Sequence, residues 1–298
     1  MTIQPVKPSR RIPEWIKVRV HEGEDYRELK ELVRSQRLHT VCEEAHCPNI
    51  YDCWSRRTAT FMILGDVCTR ACRFCAVSSG RPTELDIGEP IRGAESIAQL
   101  GLRHAVITSV DRDDLRDGGA EIFARTIRAI RRRSPDTSVE VLTPDFQGDR
   151  EAIRTVVEAR PDIFNHNTET VPRLYARIRP KAVYANSLAL LRYVKELAPQ
   201  MVTKSGVMVG LGEETEELLQ VFRNMREHSI DVLTIGQYLR PSAKHAEVVR
   251  YYPPEEFREL KRAAEAMGFA HVESGPLVRS SYHADEQIPA GRKGLLAG

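Results

Sequence analysis

Six cysteines crowd between positions 42 and 75 in two triplets: Cys42, Cys47 and Cys53, then Cys68, Cys72 and Cys75. The second triplet, Cys68-Thr-Arg-Ala-Cys72-Arg-Phe-Cys75, has C-x3-C-x2-C spacing, which brings three thiolates from one short loop around a single iron–sulfur cube. One of the cube's irons is then left without a protein ligand. A small molecule can bind there, and a thiolate-ligated, low-potential cluster can pass it an electron. The first triplet, C-x4-C-x5-C, reads as a second cluster. Zinc is the competing reading, because Cys42, Cys47, Cys53 and His46 supply the right ligand types, although zinc loops usually pair ligands two to four residues apart. Disulfides fit less well, since a chain of 298 residues builds a core without staples and its start does not resemble a signal peptide. A catalytic nucleophile would account for one thiol and leave the others unexplained.

The elements that position these thiols are legible as alternating patterns. From residue 60 onward, short apolar runs alternate with helical periodicity, the signature of parallel βα units. Strands are expected at Thr60 to Gly65, His104 to Ser109, Ser138 to Leu142, Asp162 to Asn165, Thr203 to Val209 and Val232 to Gly236, with a seventh apolar run, Phe269 to Val272, closing the series. Helices are expected at Ala94 to Leu100, Ala120 to Arg132, Arg150 to Ala159, Asn186 to Leu197, Glu214 to Glu227 and Pro254 to Met267. The fold class is α/β, a partial (β/α)6 barrel of the TIM type. Catalytic groups of such barrels lie at the carboxyl ends of strands, and the second cysteine triplet follows the first strand. The segment before residue 60, with Pro5, Pro8, Pro13 and a short helix near Asp25 to Ser35, reads as an extension laid over the barrel.

Composition excludes several classes. With 44 basic against 42 acidic residues the net charge is +2, which argues for no nucleic-acid partner. The densest basic run, Arg128 with Arg131, Arg132 and Arg133, ends a helix, where cations suit the dipole. No apolar stretch is long enough to span a membrane, so no membrane association and a cytoplasmic, soluble chain are expected.

The loop Cys68-x3-Cys72-x-Phe74-Cys75 resembles that of the radical S-adenosylmethionine enzymes, and Cys42-Glu-Glu-Ala-His-Cys47-Pro-Asn-Ile-Tyr-Asp-Cys53-Trp54 is similar to the auxiliary-cluster segment of the lipoyl synthase family. Further similar segments are Thr108 to Leu115, Phe164 to Thr170, Lys204 to Glu213, Gly236 to Pro241 and Arg279-Ser280-Ser281-Tyr282, so the resemblance spans roughly residues 40 to 285. It implies three regions: an N-terminal extension (1–58) carrying the auxiliary-cluster cysteines, a barrel (59–275) and a C-terminal extension (276–298) with a serine ligand.

The resemblance implies two [4Fe-4S] clusters and S-adenosylmethionine as cofactors. Cys68, Cys72 and Cys75 would hold the first cluster; Cys42, Cys47, Cys53 and Ser281 would hold the second, with Ser280 as fallback ligand. An alkoxide is a poorer partner for cluster iron than a thiolate, so Ser281 would free its iron during turnover. The activity implied is insertion of two sulfur atoms at C6 and C8 of an octanoyl group linked to a lysine of a carrier protein, with the second cluster as sulfur donor and two S-adenosylmethionine molecules cleaved. The carrier would be a lipoyl domain of a 2-oxoacid dehydrogenase or the glycine cleavage H protein. The other implied partners are a ferredoxin or flavodoxin and an iron–sulfur carrier that rebuilds the second cluster; a monomer is expected. A biotin synthase-like sulfur inserter and a zinc-stabilised binding module are the alternatives.

Further candidates belong to the strand ends. Phe74 would lie near the adenine, and Ser109 and Asp111 near cofactor or substrate. Asn165, Asn167 and Glu169 suit hydrogen bonds to ribose hydroxyls or the methionine ammonium, with a helix cap as the plainer alternative. Lys204, a charged residue within a strand, is expected in the barrel lumen against an anion such as a cofactor carboxylate. Arg179 is favoured over Arg240 for the same purpose. Asp111, Asp113 and Asp114, interleaved with Arg112 and Arg116, read as loop capping and ion pairs rather than a divalent-metal site. Gly210-Leu211-Gly212 lacks the full dinucleotide fingerprint and reads as a tight turn.

Overall fold

The computed structural model describes residues 12–17, 23–35, 40, 47 and 49–287. The apolar runs of the sequence form strands β1 (Thr58–Ile63), β4 (His104–Ser109), β5 (Ser138–Leu142), β6 (Ile163–Asn165), β7 (Val202–Val209), β8 (Val232–Gln237) and β9 (His271–Gly275). They pair in the order β1-β4-β5-β6-β7-β8-β9, and every pair is parallel. Parallel neighbours need crossover connections, which are the helices Glu89–Gln99, Ala120–Arg133, Arg150–Glu158, Tyr184–Leu197, Thr215–Glu227 and Pro254–Ala266. The result is a barrel of six β/α units closed by a seventh strand, open between β1 and β9. Two short strands, β2 (Val67–Cys68) and β3 (Ser78–Ser79), pair parallel within the cysteine loop.

Local sequence explains most of the boundaries. Asp149 accepts hydrogen bonds from the Glu151 and Ala152 amides and caps the helix that follows, and Glu214 with Glu217 forms a capping box for the next but one. The first crossover helix starts at Glu89, five residues before its apolar periodicity becomes readable, because Pro90 suits the first turn of a helix. β9 is displaced to His271–Gly275, since the last crossover helix turns at Gly268 (φ +90°) and leaves Phe269 in the connection.

The N-terminal helix Glu24–Ser35 packs on the helix Ile50–Ser55, with Tyr26 buried 4.7 Å from the ring of Tyr51 and 5.4 Å from that of Trp54. Thr40 adds an antiparallel bridge to Phe61 of β1. Tyr26, Val33, Ile50 and Trp54 share one hydrophobic cluster with the barrel core.

The barrel interior carries a buried charge. Lys204 of β7 is 0% exposed, and its Nζ lies 3.0 and 3.1 Å from the two carboxylate oxygens of Glu140 on β5. Asn165 of the intervening β6 donates from Nδ2 to Glu140 Oε1 at 2.8 Å, and His104 Nε2 lies 3.6 Å from Oε2. Lys204 is therefore in the lumen facing an anion, as its place in the strand implied. That anion is Glu140, a correction to the expectation of a cofactor carboxylate, because both charges must be desolvated together. Burial opposes the charge of Glu140, but Lys204, the nearby His104 and the hydrogen bond from Asn165 prevail and hold its carboxyl below the usual range.

Removing one partner of this pair strands the other. Lys204→Met is expected to destabilise the fold by about 3–5 kcal/mol in denaturant unfolding, and adding Glu140→Gln should recover part of that loss because no buried charge remains.

Candidate active site

The cysteine loop runs from the carboxyl end of β1 and is stapled from several directions. The Gly80 amide donates to the Cys68 carbonyl at 2.9 Å and the Cys75 amide to the Cys72 carbonyl at 3.2 Å, closing the loop on itself. The Thr69 amide and hydroxyl both donate to the Asp111 carbonyl at 2.9 Å, tying it to the loop after β4. The Arg73 amide donates to the Ile178 carbonyl at 2.9 Å and the Ala246 amide to the Arg73 carbonyl at 2.8 Å. The His245 ring contacts the Cys75 carbonyl through Nε2 at 2.9 Å.

Arg70, between the first two cysteines of the loop, is the strongest of these anchors. Its guanidinium donates to Asp113 at 2.9 and 2.8 Å and to Asp145 at 3.0 and 2.6 Å, and Asp111 lies 3.3 Å from Nε. Two-pronged arginine–carboxylate pairs fix orientation as well as distance. Asp114 pairs with Arg112 at 2.8 Å, so all three clustered acids form ion pairs, as expected. Asp111 differs in its surroundings: burial raises its pKa against the pull of Arg70, and its Oδ2 lies 3.7 Å from Cys68 Sγ.

The three thiols of the loop form one electrostatic group. Burial, together with nearby anions, pushes Cys72 up to about 12 and Cys75 up to about 11, and raises Cys68 as well. Cys72 responds to Cys75, and Cys75 to Cys68. The amides of Arg70 and Asp111 point at Cys68 Sγ at 3.4 and 3.3 Å, and Arg179 acts on Cys72. These shifts favour the protonated thiols, so a metal group bound by all three would have to displace their protons. The donor set fits an iron–sulfur cube, in which each thiolate takes a different iron. Among the described residues no group of three or more His, Cys, Asp or Glu is gathered for a single metal ion.

Around the loop, several candidates share one mouth. Arg179 is buried; its Nη1 donates to the carbonyls of Asn167 at 3.0 Å and Thr168 at 3.3 Å, leaving Nε buried without a partner. Asn167 Oδ1 and Ser109 Oγ are likewise buried without a partner. Glu169 is half-buried with φ +68°, and its backbone bridges to Val207 of β7. Burial raises its carboxyl pKa, while Arg179 and Asn167 oppose that rise. Gly206 is required here, since a Cβ would meet Thr234 Oγ1 at 2.5 Å and Asn167 Oδ1 at 2.9 Å. Phe74 is half-buried against the core between Cys72 and Cys75. Asn165 and Lys204 lie apart from this mouth, engaged by Glu140.

Other candidates have local duties. Arg240 donates to the carbonyls of Ala243 and His245 in its own loop. Gly210 and Gly212, with φ +100° and +106°, make the expected tight turn, and the Glu213 carboxylate takes the Gly210 and Leu211 amides at 2.6 and 2.9 Å. Arg70, Asp145, Glu140 and His245 received no role from the sequence. Only Arg70 carried a signal, as a cation between cluster-spaced cysteines.

The segment carrying Cys47 and Cys53 meets the C-terminal segment. Asn49 Nδ2 donates to the Leu277 carbonyl at 2.6 Å, and His283 Nε2 lies 3.3 Å from Asp52 Oδ2. Tyr282 is stacked on His283 at 3.9 Å, and burial, with Asp52 and Cys53 adding to it, pushes its hydroxyl up to about 12. Ser280 and Ser281 are half-buried in this segment. Cys42 and His46 lie outside the described residues.

A three-thiol loop after the first strand of a parallel β/α barrel defines a radical S-adenosylmethionine enzyme, and the sequence model of the Radical SAM superfamily matches residues 62–225. Membership implies a [4Fe-4S] cluster and S-adenosylmethionine. A second model, the N-terminal domain of lipoyl synthase of the radical SAM family, matches residues 3–47. The chain is 63% identical over 284 residues to a lipoyl synthase of Rubrobacter xylanophilus, covering 95% of this chain and 88% of that one. It is 59% identical over 279 residues to that of Oceanobacillus iheyensis, covering 93% and 89%. The chain belongs to the lipoyl synthase family. Among solved structures, Streptococcus suis SuiB bound to S-adenosylmethionine shares the fold (TM-score 0.57, 11% identity, 84% of this chain and 61% of that one), as does methylornithine synthase (TM-score 0.52, 14% identity, 91% and 86%). No helix among the described residues is long and apolar enough to cross a membrane.

His166, beside this mouth, sets a pH dependence. It is 2% exposed, donating from Nδ1 to the Thr143 carbonyl at 2.8 Å with Nε2 3.0 Å from Ser187 Oγ, and burial and then Arg179 push it down to about 4. A histidine with a depressed folded pKa stabilises above its unfolded value near 6.5. Stability is therefore expected to fall by up to about 3 kcal/mol as pH drops from about 6.5 to about 4. Denaturant midpoints across that window should flatten in His166→Gln; an unchanged slope would assign the dependence to another group.

Proposed function

We propose that the chain converts an octanoyl group, held in amide linkage on a lysine of a carrier protein, into the lipoyl group by inserting sulfur at C6 and C8. The observation that carries this reading is the contact of the segment holding Arg279-Ser280-Ser281-Tyr282 with the segment holding Cys47 and Cys53. A single-cluster radical enzyme has no need of that pairing. It supports a second [4Fe-4S] cluster on Cys42, Cys47, Cys53 and Ser281, at the junction of the extensions 1–58 and 276–298 with the barrel 59–275.

Carbons 6 and 8 of an alkyl chain carry no acidic hydrogen, and a positioned base works only when donor and acceptor pKa values are roughly matched. Homolysis remains, and it is cofactor chemistry: when bound, the clusters and S-adenosylmethionine supply a carbon radical initiator and the sulfur, two S-adenosylmethionine molecules being cleaved for two insertions. The chain's residues bind and orient. Cys68, Cys72 and Cys75 hold the first cluster, with Arg70 fixing their loop through Asp113 and Asp145. Ser109, Asn167, Glu169 and Arg179 turn polar groups, several without protein partners, toward the mouth beside Cys72, suiting the amino-acid and ribose ends of S-adenosylmethionine. Phe74 suits the adenine face. Asn165 and Lys204, engaged by Glu140, support the lumen beneath. Ser281 would supply a harder oxygen ligand, a poorer partner for cluster iron than a thiolate.

The carrier is a lipoyl domain of a 2-oxoacid dehydrogenase or the glycine cleavage H protein. Electrons come from a ferredoxin or flavodoxin, and an iron–sulfur carrier restores the second cluster.

Anaerobically reconstituted protein is expected to hold about eight irons, falling to about four when Cys68, Cys72 and Cys75 are replaced by Ala. Cys47→Ala should still cleave S-adenosylmethionine yet form no lipoyl product on an octanoylated peptide. Lipoyl formation by that variant, or about four irons in the intact protein, would overturn the second cluster and its sulfur-donor role.

A further inference from the structure

The chain leaves β1 through two consecutive left-handed residues, Leu64 with φ +70° and Gly65 with φ +86°. Glycine adopts that conformation freely, whereas a residue with a Cβ keeps it only when its surroundings over-determine it. Leu64 is buried and fixed from three sides. Its amide donates to Glu89 Oε2 at 2.7 Å, its side chain lies where a Cβ on Gly119 would collide with Cδ1, and its carbonyl accepts from Arg112 Nη1 at 3.2 Å. The backbone at Leu64 sets the direction in which the chain enters the cysteine loop.

Arg112 holds the other end of that loop as well. The same Nη1 donates to the Glu84 carbonyl at 3.1 Å, so one guanidinium nitrogen joins the residue before the excursion 65–83 to the residue after it. Cys68, Cys72 and Cys75 all lie within that excursion. Nε and Nη2 form a fork on Asp114 at 2.8 and 2.9 Å, which fixes the plane of the guanidinium. Arg112 is 3% exposed and belongs to the loop after β4, whose Asp111 carbonyl and Asp113 carboxylate hold Thr69 and Arg70. Those contacts fix the interior of the cysteine loop, and Arg112 fixes its base. Two carbonyls and one carboxylate call for a planar group with donors on three nitrogens, which the single ammonium of a lysine does not supply.

We infer that Arg112 is a positioning residue for the first cluster: it closes the base of the cysteine loop onto the loop after β4, and so limits the opening through which iron bound by the three thiols escapes. The inference rests on the reading of Cys68, Cys72 and Cys75 as the ligands of that cluster. Groups outside the ligand shell set metal affinity by orienting the ligands, and here the orientation passes through the backbone at both ends of one loop. A loop tied at its base also has less freedom to lose when its ligands are engaged.

The test takes two readouts on the full chain. Without iron, amide hydrogen exchange in peptides within 64–84 is expected to quicken about tenfold in Arg112→Gln, with β7 and β8 unchanged, because only a local opening is made easier. After anaerobic reconstitution, the iron whose electron paramagnetic resonance signal responds to S-adenosylmethionine is expected to pass to a chelator about tenfold faster in the same variant. Asp114→Asn, which leaves the carbonyl contacts and loosens the fork, should move both readouts in the same direction by less, and it carries the test if Arg112→Gln does not fold. Unchanged exchange within 64–84, an equal rise in β7 and β8, or a loosened loop that keeps its iron as long as the parent protein does would each overturn the inference. A parent protein with no signal that responds to S-adenosylmethionine would remove the reading of the three thiols as cluster ligands, and the inference would fall with it.

Discussion

Confining three mutually repelling thiols to one short loop is the constraint on which the rest of this structure depends. Burial and neighbouring anions resist ionisation of Cys68, Cys72 and Cys75, so the loop must be held in place by contacts other than those the thiols make with each other. Arg70 provides them. It lies within the loop, is buried, and grips Asp113 after β4 and Asp145 after β5. The loop is thereby referenced to two strands beyond its own, and the loops after β6 and β8 add the contacts of Ile178, His245 and Ala246. A group held at the mouth in this way has its ligands positioned before it arrives, which reduces the ordering cost of binding.

The lumen beneath explains why the mouth can be polar. TIM-type barrels commonly fill their interior with apolar layers, whereas here Glu140 joins Lys204, Asn165 and His104 across three strands and their neighbour β4. Such a network contributes little net stability compared with an apolar core of the same volume, but its hydrogen bonds are directional. It holds β5, β6 and β7 in one register directly below Asn167 and Glu169. Gly206 then leaves room for Asn167 and Thr234 at the next level of β7.

The two terminal segments form a third level of organisation. The N-terminal helices share the barrel's hydrophobic cluster through Tyr26 and Trp54, and the C-terminal segment is pressed onto β8 at Gly236 and tied to Asn49 and Asp52. Residues more than two hundred positions apart thus meet at one end of the barrel. The meeting joins Leu277 to Asn49 and His283 to Asp52, and neither terminal segment builds that contact alone.

The sequence by itself determined the strand and helix alternation, the cysteine loop at the end of β1 and the family, because apolar periodicity and ligand spacing are local patterns that survive without coordinates. It also placed Lys204 in the lumen, since a lone charge within an apolar strand has few other places to go. Boundaries set by single residues were less legible: Pro90 extended a helix backward, and Gly268 displaced the last strand. Only the tertiary structure decided which charges meet. Glu140 as the partner of Lys204 and Asp145 as the second anchor of Arg70 each join elements far apart in the chain. Long-range pairing of this kind follows from how strands stack around a barrel and where the terminal segments cross it, and residue type and spacing carry no record of either.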